Sequence, residues 1–90
     1  MPNKMKTIYI RHMRYEEAKS FFVHEMESAF YEGIEEVKVI HGVGTYALRN
    51  MVLAEVEKVD YIEILPQMHN PGTIRLKLLV PDIELRKKYL

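Results

Sequence analysis

Ninety residues support one small domain with a single core, and 48% hydrophobic against 29% charged residues is an ordinary balance for a folded globular chain. The 13 Lys and Arg cancel the 13 Asp and Glu, which excludes a domain-wide positive field and leaves only a local patch for any nucleic-acid contact. The absence of cysteine excludes a disulfide framework and thiolate metal sites, and no apolar run approaches the roughly 18 residues of a membrane span, so a cytoplasmic address and no membrane partner are expected.

In chain order, Met1 to Lys6 is a short polar extension, and Thr7 to Ile10 alternates as a first strand does, with Ile8 and Ile10 on one face and Tyr9 on the other. From Tyr15 to Glu32 the residues Ala18, Phe21, Phe22, Met26, Ala29 and Phe30 recur at three- and four-residue steps. With Glu16 and Glu17 in the first turn and Gly33 as the stop, this spacing predicts a long amphipathic helix whose aromatic stripe is core. Val37 to Ile40 reads as a strand buried on both faces. Leu48, Met51, Val52, Val56 and Val59 mark a second helix, with Thr45 as the expected N-cap. Tyr61 to Leu65 is a third strand ended by Pro66, and Gln67 to Gly72 has the residues of a turn. Thr73 to Val80 then alternates strictly, with Ile74, Leu76, Leu78 and Val80 inward and Arg75 and Lys77 outward.

The order β-α-β-α-β-β with short connections predicts a two-layer α/β sandwich over residues 7–80, followed by a polar tail at 81–90. Right-handed crossovers place both helices on one face of a mixed four-stranded sheet. The other face should meet solvent, in keeping with the outward residues Tyr9, Lys38, Glu63, Arg75 and Lys77.

The turn Ile40-His41-Gly42-Val43-Gly44-Thr45 joins the second strand to the second helix. The first N–H groups of a helix lack partners within it and carry the positive end of its dipole, so such a turn suits an anion. Gly42 to Ala47 matches the form G-x-G-x-x-A of dinucleotide sites, but 90 residues supply too few parallel strands, and Glu63 lies within a strand rather than at its tip. No Walker Gly-Lys-Ser/Thr follows, so no nucleotide cofactor is expected. A plainer reading has the glycines allow a tight turn and His41 serve the structure. Arg49, one helical turn past Thr45, and Asn70-Pro71-Gly72, a second polar turn, add an anion-binding reading to it.

His41-Gly42-Val43-Gly44-Thr45, followed by Leu48-Arg49 and later by Asn70-Pro71-Gly72 ahead of an alternating strand, resembles the Smr (small MutS-related) domain. The resemblance spans Ile8 to about Leu79 and implies a fold similar to the C-terminal domain of translation initiation factor 3. Smr domains occur alone or at the C-terminus of MutS2-type proteins, and many bind nucleic acid and nick DNA or RNA. The family's H-G-x-G-x-G motif is present here with Tyr46 in place of the last glycine. Its L-D-x-H-G motif falls on Ile8, Tyr9, Ile10, Arg11 and His12, so the aspartate and histidine are replaced by Tyr9 and Arg11. Losing that carboxylate removes a general base or a metal ligand.

The resemblance therefore implies a DNA- or RNA-binding domain in which cleavage, with or without a divalent metal, is less well supported than binding. The phosphate-binding residues expected are Arg11, His41, Gly42, Val43, Gly44, Thr45, Arg49 and Asn70, with His41 and, more weakly, His12 as candidate acid–base groups. His24 has no second histidine at helical spacing and reads as a solvated residue rather than a metal ligand, and His69 as a turn residue. Arg86-Lys87-Lys88 is the densest positive run, and Tyr9 is placed to stack a base. The alternative is a protein-interaction module using the open sheet face, with the loop purely structural.

Overall fold

In a computed structural model that describes residues 4–44, 46–66 and 71–79, strands and helices alternate as the hydrophobic periods require. The elements are β1 (Met5–Tyr9), α1 (Tyr15–Glu32), β2 (Glu36–Ile40), α2 (Ala47–Glu57), β3 (Ile62–Ile64) and β4 (Thr73–Leu78). The sheet order is β1-β2-β4-β3, with β1 and β2 parallel and β4 antiparallel to both its neighbours. Both helical crossovers thus join parallel strands, and the expected mixed four-stranded sheet with helices packed on one face is what forms.

The chain starts its sheet earlier than its alternation suggests. Met5 and Lys6 belong to β1, and the pairing continues past Tyr9 through the Ile10 amide, which donates to the Ile40 carbonyl at 3.0 Å. β2 is not buried on both faces: Val37 and Val39 are fully buried while Lys38 between them is exposed. A central strand need not be apolar throughout when helices cover one face alone. On the uncovered face Tyr9, Lys38, Glu63, Arg75 and Lys77 are all exposed, as expected. There the Arg75 guanidinium makes a bidentate contact with the Glu36 carboxylate, Nε and Nη2 each donating at 3.2 Å.

The core lies between sheet and helices. α1 contributes Ala18, Phe22, Met26, Ala29 and Phe30, with Phe21 half-buried at its margin. α2 contributes Met51, Val52 and Val56, and the strands Ile8, Val37, Val39, Ile74, Leu76 and Leu78. Phe30 meets the buried Tyr61 with ring centroids 4.3 Å apart. Each buried Phe or Ile side chain contributes about 1.5–3 kcal/mol by leaving water. α1 ends where predicted: Gly33 takes the left-handed conformation (φ 75°), and the Ile34 amide donates back to the Ala29 carbonyl at 2.9 Å.

The cap of α2 is Tyr46, one residue beyond the expected Thr45. Thr45, His69, Asn70, Val80 and the tail 81–90 lie outside the described residues.

Candidate functional site

The glycine turn sits at the C-terminal end of β2, beside the segment that leads into β4. Gly72, immediately before β4, accepts two hydrogen bonds through its carbonyl, from the His41 amide at 2.9 Å and the Gly42 amide at 3.0 Å. The two polar turns therefore do meet, as their residue types suggest. The same bonds correct one expectation, because the Gly42 amide is taken by Gly72 and is not available to an anion. The amides of Val43 and Gly44 have no partner among the described residues.

Gly42 is required for two reasons. Its φ is 80°, where a Cβ is strained, and a Cβ built there would lie 2.9 Å from Cγ of Arg11. The Arg11 side chain thus lies across the glycine. Arg11 occupies the position of the family's first-motif histidine, and its aliphatic stem from Cβ to Cδ packs on the loop. His12 goes elsewhere: its ring sits 5.7 Å from that of Tyr9. The structure joins Arg11, and not His12, to the glycine loop.

His41 is only 5% exposed. Its Nδ1 lies 2.7 Å from the Gly42 carbonyl oxygen, which can only accept, so Nδ1 carries the proton and donates. Nε2 is then the lone-pair nitrogen, and it is buried with no hydrogen-bond partner among the described residues. Burial holds the imidazole pKa below 6.5, the Gly42 hydrogen bond opposes that shift, and the Arg49 guanidinium reinforces it. A neutral ring with a free Nε2 accepts a proton from a water or, once protonated, donates to an anion. The Tyr46 ring stands edge-on to His41, centroids 6.3 Å apart.

Tyr46 itself has φ 61° and ψ 18°, the left-handed conformation that the motif's third glycine would adopt without cost. At the start of α2 the Tyr46 side chain makes no cap hydrogen bond, and the first turn carries no acidic residue, whereas α1 carries Glu16 and Glu17 there, so no carboxylate of its own first turn offsets the positive end of the α2 dipole.

The predicted phosphate residues fall into two clefts rather than one. Arg11, Lys38, Gly42 and Val43 line a cleft of ≈ 280 Å³ that opens toward the bare sheet face. Arg49 lines another, of ≈ 630 Å³, with Tyr46, Asn50 and Leu53 of α2 and Ile64 of β3. Pro71 and Thr73 line both, so the strand entering β4 is the partition. Arg11, Lys38 and Arg49 have no ion-pair partner among the described residues. Asn70 falls outside the described residues, although Pro71 and Gly72 beside it are in place. Sequence reasoning treated Lys38 only as an outward residue and Tyr46 only as a departure from a motif. It passed over Asn50, whose spacing from Tyr46, four residues along a helix, was the available signal.

Among the described residues no three His, Asp or Glu side chains come together to hold a metal ion, and no helix is long and apolar enough to cross a membrane. No curated protein sequence matches the chain significantly. The fold is similar to the crystal structure of the Smr domain of Thermus thermophilus MutS2, with 22% identity and a TM-score of 0.70 over 81% of this chain and 96% of that one. It is also similar to YdaL, a stand-alone small MutS-related protein from Escherichia coli, with 19% identity and a TM-score of 0.71 over 81% of this chain and 63% of that one. The family model described as the Smr domain matches residues 8–70, from the first strand through both glycine-loop arginines to the second polar turn, and the chain belongs to the Smr domain family.

Proposed function

We propose that this Smr domain binds the phosphate backbone of DNA or RNA at the end of the sheet where β1, β2 and β4 meet the start of α2, and holds it without cutting it. The observation that carries this reading is His41, a buried histidine whose Nε2 has no partner among the described residues, beside the start of a helix with no acidic residue in its first turn and within the field of Arg49. A buried polar atom without a partner is costly, and because a phosphodiester offers only acceptors, it pairs with Nε2 when the ring takes up a second proton and recovers that cost as an imidazolium–phosphate contact. Arg11 and Lys38 on one side of the partition and Arg49 on the other supply charge for successive phosphates. The amides of Val43 and Gly44 supply neutral donors between them.

Binding is favoured over cleavage because of what stands at the first-motif positions. Tyr9 is 44% exposed against His12 and offers neither a base near neutrality nor a hard metal ligand. Arg11 is charged at all working pH values and cannot move a proton. The competing reading, a protein-docking sheet face, meets a surface of alternating charge with a bidentate Arg75–Glu36 pair, which is solvated surface in character.

The test is fluorescence anisotropy of labelled single strands against salt. Three phosphate contacts give a slope near −2 in log affinity against log salt, or roughly a 20-fold loss between about 50 and 200 mM. Loss of binding in Arg11→Ala and Arg49→Ala with the fold retained supports the proposal. Plasmid or structured RNA nicked robustly by the wild-type chain, and not by His41→Ala, refutes the claim that the domain only holds its ligand.

A further inference from the structure

The cleft between α2 and β3 is unlike the phosphate contacts beside it. Along α2, Tyr46, Arg49, Asn50 and Leu53 recur at i, i+3, i+4 and i+7 and form one stripe facing β3, while the buried Met51, Val52 and Val56 face the core. The helix covers the sheet only as far as β4. Leu76 is fully buried, yet Ile64, its register partner on β3, is 48% exposed on the same side. The result is a trough of ≈ 630 Å³ with an apolar floor of Leu53, Ile64 and Ile74 and a rim of aromatic, amide and guanidinium groups. Its size is that of a small-ligand site rather than a packing defect.

The rim groups are matched to one chemistry. An unpaired nucleobase presents a π-face, a hydrogen-bonding edge and an attached phosphate. Tyr46 offers an aromatic ring at 39% exposure. The Asn50 side chain, a donor and an acceptor at once, makes no hydrogen bond to the described residues. Arg49 supplies the charge for the phosphate. The Tyr46 ring also stands edge-on to His41, centroids 6.3 Å apart, so the trough borders the phosphate site. A tyrosine stands at a left-handed backbone position that glycine enters without steric strain, and strain of that kind is held at sites that use the side chain.

The geometry points to a specificity site: the α2–β3 trough takes one unpaired nucleobase, stacked on Tyr46 and hydrogen-bonded through its edge to Asn50, with its phosphate on Arg49. This inference rests on the phosphate-binding reading above and narrows its substrate to single-stranded or locally unpaired nucleic acid.

The experiment compares a short single-stranded oligonucleotide with the same strand carrying abasic sites throughout, and with a blunt duplex of equal length, by anisotropy at about 50 mM salt. The intact strand is expected to bind roughly tenfold more tightly than the abasic strand, in the range of one base stacked on an aromatic side chain. Asn50→Ala should shrink that difference toward unity while leaving abasic binding unchanged, and Tyr46→Leu should shrink it too. Asn50→Ala lies on an exposed helical position, so it tests the idea even if the Tyr46 variant folds poorly. Equal affinity for intact and abasic strands, with both weakened by Arg11→Ala, overturns the base site and keeps the phosphate site. No binding of any strand overturns both.

Discussion

Replacing Tyr46 tests whether the family's third glycine position still imposes a left-handed turn on this chain. Tyr46 has φ 61°, a conformation that costs a residue with a Cβ about 1–2 kcal/mol relative to the right-handed one. Glycine escapes that cost but gives back about 0.5–1 kcal/mol through the greater freedom of its unfolded chain. Tyr46→Gly and Tyr46→Ala both lose the ring and its edge contact with His41, so the difference between them isolates the backbone. The glycine variant should therefore be the more stable of the two by roughly 0.5–1 kcal/mol, a gap of about 2–8 °C in Tm for a domain of this size. Calorimetric or circular-dichroism melts at one pH and salt concentration measure it. An alanine variant that melts with or above the glycine variant would show that the position is not held left-handed, and the argument that a strained backbone is kept for its side chain would fall with it. If the gap appears, Tyr46→Gly should also bind an intact strand less well than wild type despite its easier backbone. That pairing of gain and loss separates a functional ring from an incidental one.

Four further outcomes follow from the same geometry. His41 is held below its ordinary pKa in the folded chain, so the unfolded chain binds more protons near and below pH 6.5; its contribution to stability is complete above that value and is lost as pH falls toward the folded pKa. Urea titrations should show that acid loss reduced in His41→Gln, and equal pH profiles for the two proteins would contradict the burial argument. Affinity runs the other way, because a phosphodiester prefers the imidazolium: wild-type binding should tighten as pH falls and weaken as pH rises through the pKa of the complex, with His41→Gln flat across that range. Gly42→Ala places a Cβ 2.9 Å from Arg11 Cγ at a positive φ, so it should cost about 1–2 kcal/mol and weaken oligonucleotide binding, and a variant with wild-type stability and affinity would mean Arg11 does not lie on the glycine. Phe22→Ala, fully buried under the sheet, should cost about 3–5 kcal/mol in chemical denaturation, and a loss below about 1 kcal/mol would place that side chain outside the core.

The fold was legible wherever a hydrophobic period ran long enough to choose one structure. The α1 stripe from Ala18 to Phe30 and the alternation of β4 left no competing geometry, and Gly33 marked its helix end through the one conformation it adopts freely. Short segments were harder to read. Val37-Lys38-Val39-Ile40 looked apolar enough for double burial, but one lysine among three apolar residues already carried the correct alternation. At the site, residue types identified the loop, while the bonds that consume its amides were hidden. The Gly72 carbonyl lies thirty residues away in sequence from Gly42, and only pairing of β2 with β4 brings it there. Tyr46 as the cap was likewise hidden, since intrinsic preference favours a threonine cap and disfavours a left-handed tyrosine.

On the proposed reading, Arg11 and Tyr9 at the first-motif positions would change what the scaffold does with a phosphate. A histidine beside the glycine loop binds in one protonation state and transfers a proton in passing to the other, so its contacts differ between ground and transition states. Arginine offers charge alone: it holds a phosphate and steadies the charge that builds up on it, but it neither activates water nor protonates a leaving group. Tyr9, turned to His12 on the open face, supplies no carboxylate to activate water. His41 keeps a titratable nitrogen in the site, but its proton is held in check by burial and by Arg49, and one acid–base group cannot both activate a nucleophile and protonate a leaving group in the same step. The retained parts, namely the glycine turn, the start of α2 and the guanidinium on each side of the partition, are those that hold charge. The replaced parts are those that move protons. A domain altered in that order would lose turnover before affinity, and on the proposed reading the phosphate site and the neighbouring trough act as a grip on an unpaired strand.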